Sequence, residues 1–153
     1  MQIDLKTLAN FLEESNKQTY AADGQKVPSA RPASEDFDYQ NGDWVYHDTY
    51  FGSDKFIGEE IVYFQNKPIW GMNYYGYLGD ESVTSKEVYK FLKKALMQEC
   101  ADVIPVRGPK QFMEGEYEYI NEPAGDLNNF TGKEIIKQNG KQVYEAVYHG
   151  GIL

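Results

Sequence analysis

Apolar residues recur at helical spacing in two short segments of the chain. The first runs from Leu5 to Leu12, and Asp4 stands where an N-cap is expected, which predicts a helix over about 5–18. The second stripe predicts a helix from about 84 to 101, ending before a proline. Its apolar members are Val88, Phe91, Leu92, Ala95 and Leu96.

Aromatic and β-branched residues fill most of the remaining chain and predict strands. Residues 37–78 form three strands, or four if 37–40 is counted, because turn sequences divide them at Asn41-Gly42, Gly52-Ser53-Asp54 and Gln65-Asn66. Three further strands are expected near 112–120, 130–138 and 141–149. The last two meet at Asn139-Gly140, the pair that a type I′ hairpin turn favours. Residues 21–36 are predicted to be an irregular loop.

The order helix, three strands, helix, three strands indicates an internal repeat. The run from Phe56 to Val62 aligns with the run from Phe130 to Ile136, and the register continues to Gly76 and Gly150. We therefore expect one α+β domain over residues 1–153, built from two α-β-β-β units at about 5–78 and 84–153. Their strands would form a mainly antiparallel sheet with two helices packed on one face.

Hairpin register decides which side chains share a face of this sheet. A regular two-residue turn at Asn139-Gly140 pairs Ile136 with Val143, and the repeat then pairs Val62 with Ile69. One face becomes largely aliphatic and the other rich in Trp, Met and Tyr, so both are apolar. We expect the helices to cover the aliphatic face. The aromatic face would then need a ligand, the 21–36 loop or a second subunit to cover it, although a one-residue slip would exchange the two sets.

Composition narrows the classes of function. The chain has 153 residues and a formal net charge of −9, which argues against direct nucleic-acid binding. It shows neither a secretory signal nor an apolar run long enough to cross a membrane, and its single cysteine excludes an internal disulfide, so the cytoplasm is the expected location. No nucleophile, metal-ligand or phosphate-binding motif occurs, so we expect no catalytic residue, no metal and no cofactor. An enzyme of another type stays open.

Aromatic residues make up 15% of the chain and supply the candidate binding site. Glu60 and Glu134, matched by the repeat, could form a carboxylate pair or each find a separate partner. In the regular register Glu60 falls on the face opposite Trp70 and Tyr74, which makes it the least secure member of the site. The expected ligand-binding residues are Trp44, Tyr46, Asp48, Trp70, Tyr74, Arg31 and Glu60.

Several aromatic motifs resemble those of a bacterial family of uncharacterised small domains. The motifs are Thr19-Tyr20-Ala21, Ser29-Ala30-Arg31-Pro32, the run from Gly42 to Gly52, and the run from Lys67 to Gly76. Similar domains occur alone or behind a Cro/C1-type helix-turn-helix in proteins labelled transcriptional regulators. The present chain has no helix-turn-helix, so the resemblance implies a sensor or partner-binding unit and no DNA-binding role.

Two kinds of function follow from these observations. The first is a non-enzymatic module that binds a small aromatic or cationic ligand on the aromatic face. The second is a protein-interaction module, as a homodimer, a regulator's partner or an acidic inhibitor of a basic protein. The charge favours basic partners, because residues 1–80 carry −7 and residues 81–153 carry −2.

Overall fold

Two helices and eight strands make up the regular structure in the computed structural model, which describes residues 3–79, 83–101 and 103–153. The chain order is α1 (Leu5–Asn16), a turn of 3-10 helix (Tyr20–Ala22), β1 (Glu35–Asn41), β2 (Trp44–Gly52), β3 (Lys55–Phe64), β4 (Lys67–Leu78), α2 (Ser85–Leu96), β5 (Gln111–Glu114), β6 (Tyr117–Asp126), β7 (Asn129–Gln138) and β8 (Lys141–Ile152). Asp4 caps α1 through its carboxylate, as predicted. The predicted strand near 112–120 is two strands, because Gly115 turns the chain with a positive φ.

All eight strands join one open antiparallel sheet in the order β1-β2-β3-β4-β8-β7-β6-β5. Each four-stranded half is a meander of neighbouring hairpins, and β4 pairs with β8 in the middle. The α+β class and the antiparallel sheet are therefore confirmed.

Both helices lie against the same face of this sheet, called the inner face here; the opposite face is the outer face. Trp70 packs in the cluster under α1, and Leu78 packs against the cluster under α2. The two residues are eight positions apart on β4, so their side chains lie on the same face of the sheet. The α1 cluster contains Leu8, Phe11, Leu12, Tyr46, Val62 and Trp70. The α2 cluster contains Val88, Phe91, Leu92, Tyr119, Ile136 and Tyr144.

The predicted hairpin register is wrong beyond the turn. Each central hairpin carries a β-bulge, so that Val62 pairs with Trp70 and Ile136 pairs with Tyr144. One extra residue shifts every later side chain of the strand to the other face. The helices therefore cover the Trp, Met and Tyr set, and the expectation that this set faces away from them is wrong. Trp70 and Tyr144 have no exposed surface.

Candidate functional site

A cavity of about 200 Å³ lies between the helices and the first half of the inner face. Strands β2, β3 and β4 supply its polar wall with Tyr46, Asp48, Glu60 and Tyr74, while Leu92 and Leu96 of α2 close the opposite side. Half-exposed tyrosines, Tyr20, Tyr50 and Tyr89, also line it. The cavity thus combines an aromatic lining with buried carboxyl groups.

Asp48 and Glu60 form the acidic part of the wall. They are direct cross-strand partners on β2 and β3 and are both 4% exposed. Side chains paired in this way lie close together on one face. Asp48 accepts a hydrogen bond of 2.7 Å from the Tyr74 hydroxyl. The Oε2 atom of Glu60 is buried and has no hydrogen-bond partner among the described residues. An unpaired buried carboxyl oxygen is costly, so it marks a place where a partner is missing.

Burial and mutual repulsion change the acidity of these two groups. Burial raises the pKa of Glu60 to about 8, and the neighbouring Asp48 charge adds to the rise. Burial also raises the pKa of Asp48 to about 6, against the hydrogen bond from Tyr74 and the positive charge of Arg107. Both carboxyl groups therefore keep a proton to higher pH than a carboxyl group in water does.

Glu134 occupies the corresponding place in the second half of the sheet, on β7 beside β6 and β8. Its carboxylate receives two hydrogen bonds from the Arg107 guanidinium, at 3.1 and 2.5 Å, and further bonds from the hydroxyls of Tyr119 at 2.6 Å and Tyr144 at 2.7 Å. Burial alone would raise the pKa of Glu134, but the Arg107 charge and these bonds outweigh it and lower that pKa. Glu134 is saturated by these contacts, and the suggested carboxylate pair with Glu60 is not what the structure shows.

The segment between α2 and β5 delivers Arg107 to this position. Val106 and Arg107 are buried, and the Gly108 amide donates to the Tyr119 hydroxyl at 3.0 Å. Asn121 on β6 donates to the Gly108 carbonyl at 2.8 Å. The loop therefore lies on the inner face of the second half, and the Arg107 guanidinium also lies 5.6 Å from the centre of the Tyr74 ring.

Four of the predicted site residues meet at the cavity: Tyr46, Asp48, Tyr74 and Glu60. Glu60 lies on the same face as the others, so its predicted opposite placement is wrong, again because of the bulge in β4. The remaining three predicted residues lie elsewhere. Trp70 is stacked on Phe130 with ring centres 5.7 Å apart, and Trp44 packs between Phe11 and Phe64. Arg31 reaches Glu59 at 3.4 Å and lies over the Phe51 ring, on the outer face.

Sequence reasoning missed Arg107, Tyr20 and Tyr89. No sequence signal placed Arg107 at the site, and the other arginine, Arg31, which precedes it by 76 residues, lies on the outer face. The tyrosines lie in the 3-10 turn and on α2, whose approach to the sheet cannot be read from the pattern of strands.

The fold and site define a class of protein: an α+β domain whose helices and sheet enclose an acidic, aromatic-lined cavity. The chain belongs to the DUF5680 family, a domain of unknown function, which matches residues 48–153. This range includes Asp48, Glu60, Arg107 and Glu134. Neither the curated proteins nor the solved structures contain a match to the chain.

The described residues show neither a metal-binding cluster nor a membrane-spanning helix. No group of three or more His, Cys, Asp or Glu side chains in residues 3–79, 83–101 and 103–153 is arranged to hold a metal ion. Neither α1 nor α2, the α-helices of that part of the chain, is long and apolar enough to span a bilayer.

Proposed function

We propose that this protein is a non-enzymatic sensor module that binds a small ligand in the inner-face cavity. The observation that carries the proposal is the unpartnered Oε2 atom of Glu60 in the wall of that cavity. A bound ligand with a hydrogen-bonding group would satisfy this atom and remove the cost of burying it. The predicted contributions of Trp44, Trp70 and Arg31 are not part of this proposal, because these residues lie outside the cavity lining.

The volume of the cavity limits the size of the ligand. A buried apolar cavity of about 150 Å³ holds a benzene molecule. The present cavity, at about 200 Å³, has room for one ring and a short polar substituent. Aromatic walls with a few polar groups are typical of small-molecule sites. The proposed ligand is therefore a single-ring compound with one polar end.

A cavity-filling substitution tests the proposal. Leu96→Phe should occupy the cavity, whereas Leu127→Phe makes the same change at a buried position outside the lining. A single-ring probe at about 100 times its Kd should raise the melting temperature of the wild type by roughly 8 °C. We expect the rise to persist in Leu127→Phe and to vanish in Leu96→Phe. Equal rises in both variants would place the binding elsewhere and contradict the proposal.

The outer face supports a second candidate function, protein interaction. Ile57, Tyr75 and Val147 are exposed and form a continuous apolar row across β3, β4 and β8. Contiguous apolar surface of this kind marks interaction sites. A homodimer, a regulator or a basic partner would cover this row.

Three further expectations from the sequence are also proposals: the internal duplication, the cellular location and the association with a regulator. We infer that the two halves arose by duplication, because each has a helix followed by a four-stranded meander with Glu60 and Glu134 at matching places. We also propose a cytoplasmic location in a bacterium, with the domain acting alone or beside a helix-turn-helix regulator, as the resemblance implies. No direct contact with nucleic acid is proposed.

A further inference from the structure

The two halves of the sheet build nearly the same polar cage around their central glutamate. Tyr46 and Tyr119 occupy corresponding places, and so do Tyr74 and Tyr148, each directly across from a glycine. Tyr148 donates to Asn121 at 2.6 Å as Tyr74 donates to Asp48 at 2.7 Å. What fits the glutamate of one cage is therefore a guide to what fits the other.

The two cages differ in whether a cation is bound to their glutamate. In the second half, Arg107 fills the cage and binds Glu134 through two N–H groups. In the first half, the segment between α1 and β1 follows another route: Val27 bridges to Asp36 at the sheet edge, and Arg31 pairs with Glu59 on the outer face. The Glu60 cage thus has a carboxylate, tyrosines and empty volume where the Glu134 cage has a guanidinium.

The charges around the cavity favour the same type of occupant. Asp48, Glu60 and Arg107 all line it, but the Arg107 guanidinium is already bound to the Glu134 carboxylate, which leaves two carboxyl groups facing the space without a counter-charge of their own. Tyr46, Phe56 and Tyr74 present aromatic rings to the same space. Aromatic faces and carboxylates together attract organic cations. An anion would meet two buried carboxyl groups and be repelled.

Building on the proposed function, we propose that the ligand is a small organic cation, an amidinium, guanidinium or ammonium group on a single ring, which binds Glu60 as Arg107 binds Glu134. The cation would donate to Oε2 of Glu60, and its ring would lie among the tyrosines of the cavity. Binding needs the ionised form of Glu60, so a bound cation displaces the proton that burial retains on this carboxyl. The charged and titratable groups that influence Glu60 are Tyr46, Asp48, Arg107 and Glu134.

Three probes of one shape but different charge test this inference: benzamidine, benzamide and benzoate. Titration calorimetry of the whole protein at about pH 8.5 should show benzamidine binding at least about tenfold more tightly than benzamide, a difference of about 1.4 kcal/mol, and no binding of benzoate. The benzamidine affinity should fall roughly 25-fold between about pH 8.5 and about pH 6.5, because Glu60, with a pKa of about 8, takes up its proton. Proton release should appear as a dependence of the heat on the buffer.

Two variants connect the result to the cage. Glu60→Gln should reduce the benzamidine affinity to that of benzamide and abolish the pH dependence above neutrality, while retained benzamide binding shows that the cavity is intact. Asp48→Asn gives the Glu60 cage the same amide that Asn121 provides in the Glu134 cage. It also removes the negative charge of Asp48, which is the second-largest cause of the raised pKa of Glu60, burial being the largest. It should move the midpoint of the pH dependence to lower pH without abolishing it.

The outcomes separate the two proposals. Equal affinity for benzamidine and benzamide in the wild type would overturn the cation inference and leave the cavity as a ligand site. Unchanged selectivity in Glu60→Gln would likewise overturn it. If none of the three probes binds at concentrations up to about 10 mM, both the cation inference and the proposed function fail.

Discussion

Glu60 and Glu134 lie at equivalent positions of β3 and β7, but their carboxyl groups have different surroundings and different pKa shifts. Glu134 accepts from a guanidinium and two hydroxyls, and its pKa is lowered. One oxygen of Glu60 has no hydrogen-bond partner in the described part of the chain, and burial raises the pKa of Glu60 to about 8. The difference depends on a third residue, Arg107, which comes from a loop and not from either strand.

Removing each carboxylate in turn should therefore have unequal effects on stability. Glu134→Gln leaves the buried Arg107 without its counter-charge, which typically costs about 3–5 kcal/mol of unfolding free energy. Glu60→Gln replaces a buried acid that has an unpaired oxygen by a neutral side chain of the same shape, so we expect no loss of stability near pH 7. Urea denaturation of both variants measures the difference. A comparable loss in both would show that Glu60 has a partner in the protein.

The raised pKa of Glu60 also predicts a pH dependence of stability. Between the unfolded-state pKa of 4.5 and the folded value of about 8, the unfolded chain releases a proton that the folded protein keeps. Unfolding is therefore favoured as the pH rises through this window, and the stabilisation present below it is lost above it.

We accordingly expect Glu60→Gln to gain stability relative to the wild type as the pH rises. Relative to the lower end of the window, the variant should gain on the wild type by an amount on the order of 5 kcal/mol above its upper end. Urea denaturation across the pH range measures the difference. A constant difference would show that Glu60 is ionised in the folded protein throughout.

At the scale of helices and strands, much of the architecture follows from the sequence. Helical stripes, the Asp4 cap and the Asn139-Gly140 turn are local features, and both helices and most strands form near their expected places, although the strand predicted near 112–120 is divided into β5 and β6. The assignment of the faces failed because a bulge inserts one residue into β4 and another into β8. Nothing in an alternating pattern distinguishes a bulged strand from a regular one, and a single extra residue reverses the faces.

The candidate site could be predicted only in part, because its residues too are placed by the face that each strand position occupies. Tyr46 and Asp48 share a face because side chains alternate regularly along β2, but parity alone did not decide whether Tyr74 on the bulged strand β4 lies on that face too. Trp70, at the bulge, was expected at a ligand face and is a core residue. Arg107 lies in an irregular segment, and the path of such a segment depends on tertiary contacts that local sequence does not encode.

Two glycines leave space for tyrosine rings that approach the backbone of the neighbouring strand closely. A Cβ atom at Gly58 would overlap the Tyr74 ring, and one at Gly132 would overlap the Tyr148 ring. Gly58→Ala and Gly132→Ala should each destabilise the protein by about 1–3 kcal/mol, because a ring must move. Only Gly58→Ala should also weaken benzamidine binding, since Tyr74 lines the cavity and Tyr148 does not. Parallel thermal melts and titrations measure both effects. Equal weakening in the two variants would show that general destabilisation, not the Tyr74 ring, controls binding.

For the whole molecule, the two faces of the sheet have separate roles in this account. The inner face is covered by the helices and holds the cavity, while the outer face exposes the apolar row of Ile57, Tyr75 and Val147. No row residue lines the cavity, so changes at the row should leave the cavity unaltered.

Placing a charged side chain in the exposed apolar row tests whether the two faces act separately. If the outer face is an interaction surface, the wild type should self-associate in sedimentation velocity as its concentration rises, and Tyr75→Lys should sediment as a monomer. The benzamidine affinity of Tyr75→Lys should equal that of the wild type. A strictly monomeric wild type would contradict self-association through this face.

The central claim is that the cavity beside Glu60 is a binding site for a small cation. A crystal structure of the protein with benzamidine, grown at about pH 8.5 where Glu60 is ionised, measures this most directly. We expect the amidinium nitrogen to lie about 2.7–3.2 Å from Oε2 of Glu60, with the ring among Tyr46, Phe56 and Tyr74. A cavity closed by the protein's own side chains, or benzamidine bound only outside it, would contradict the account.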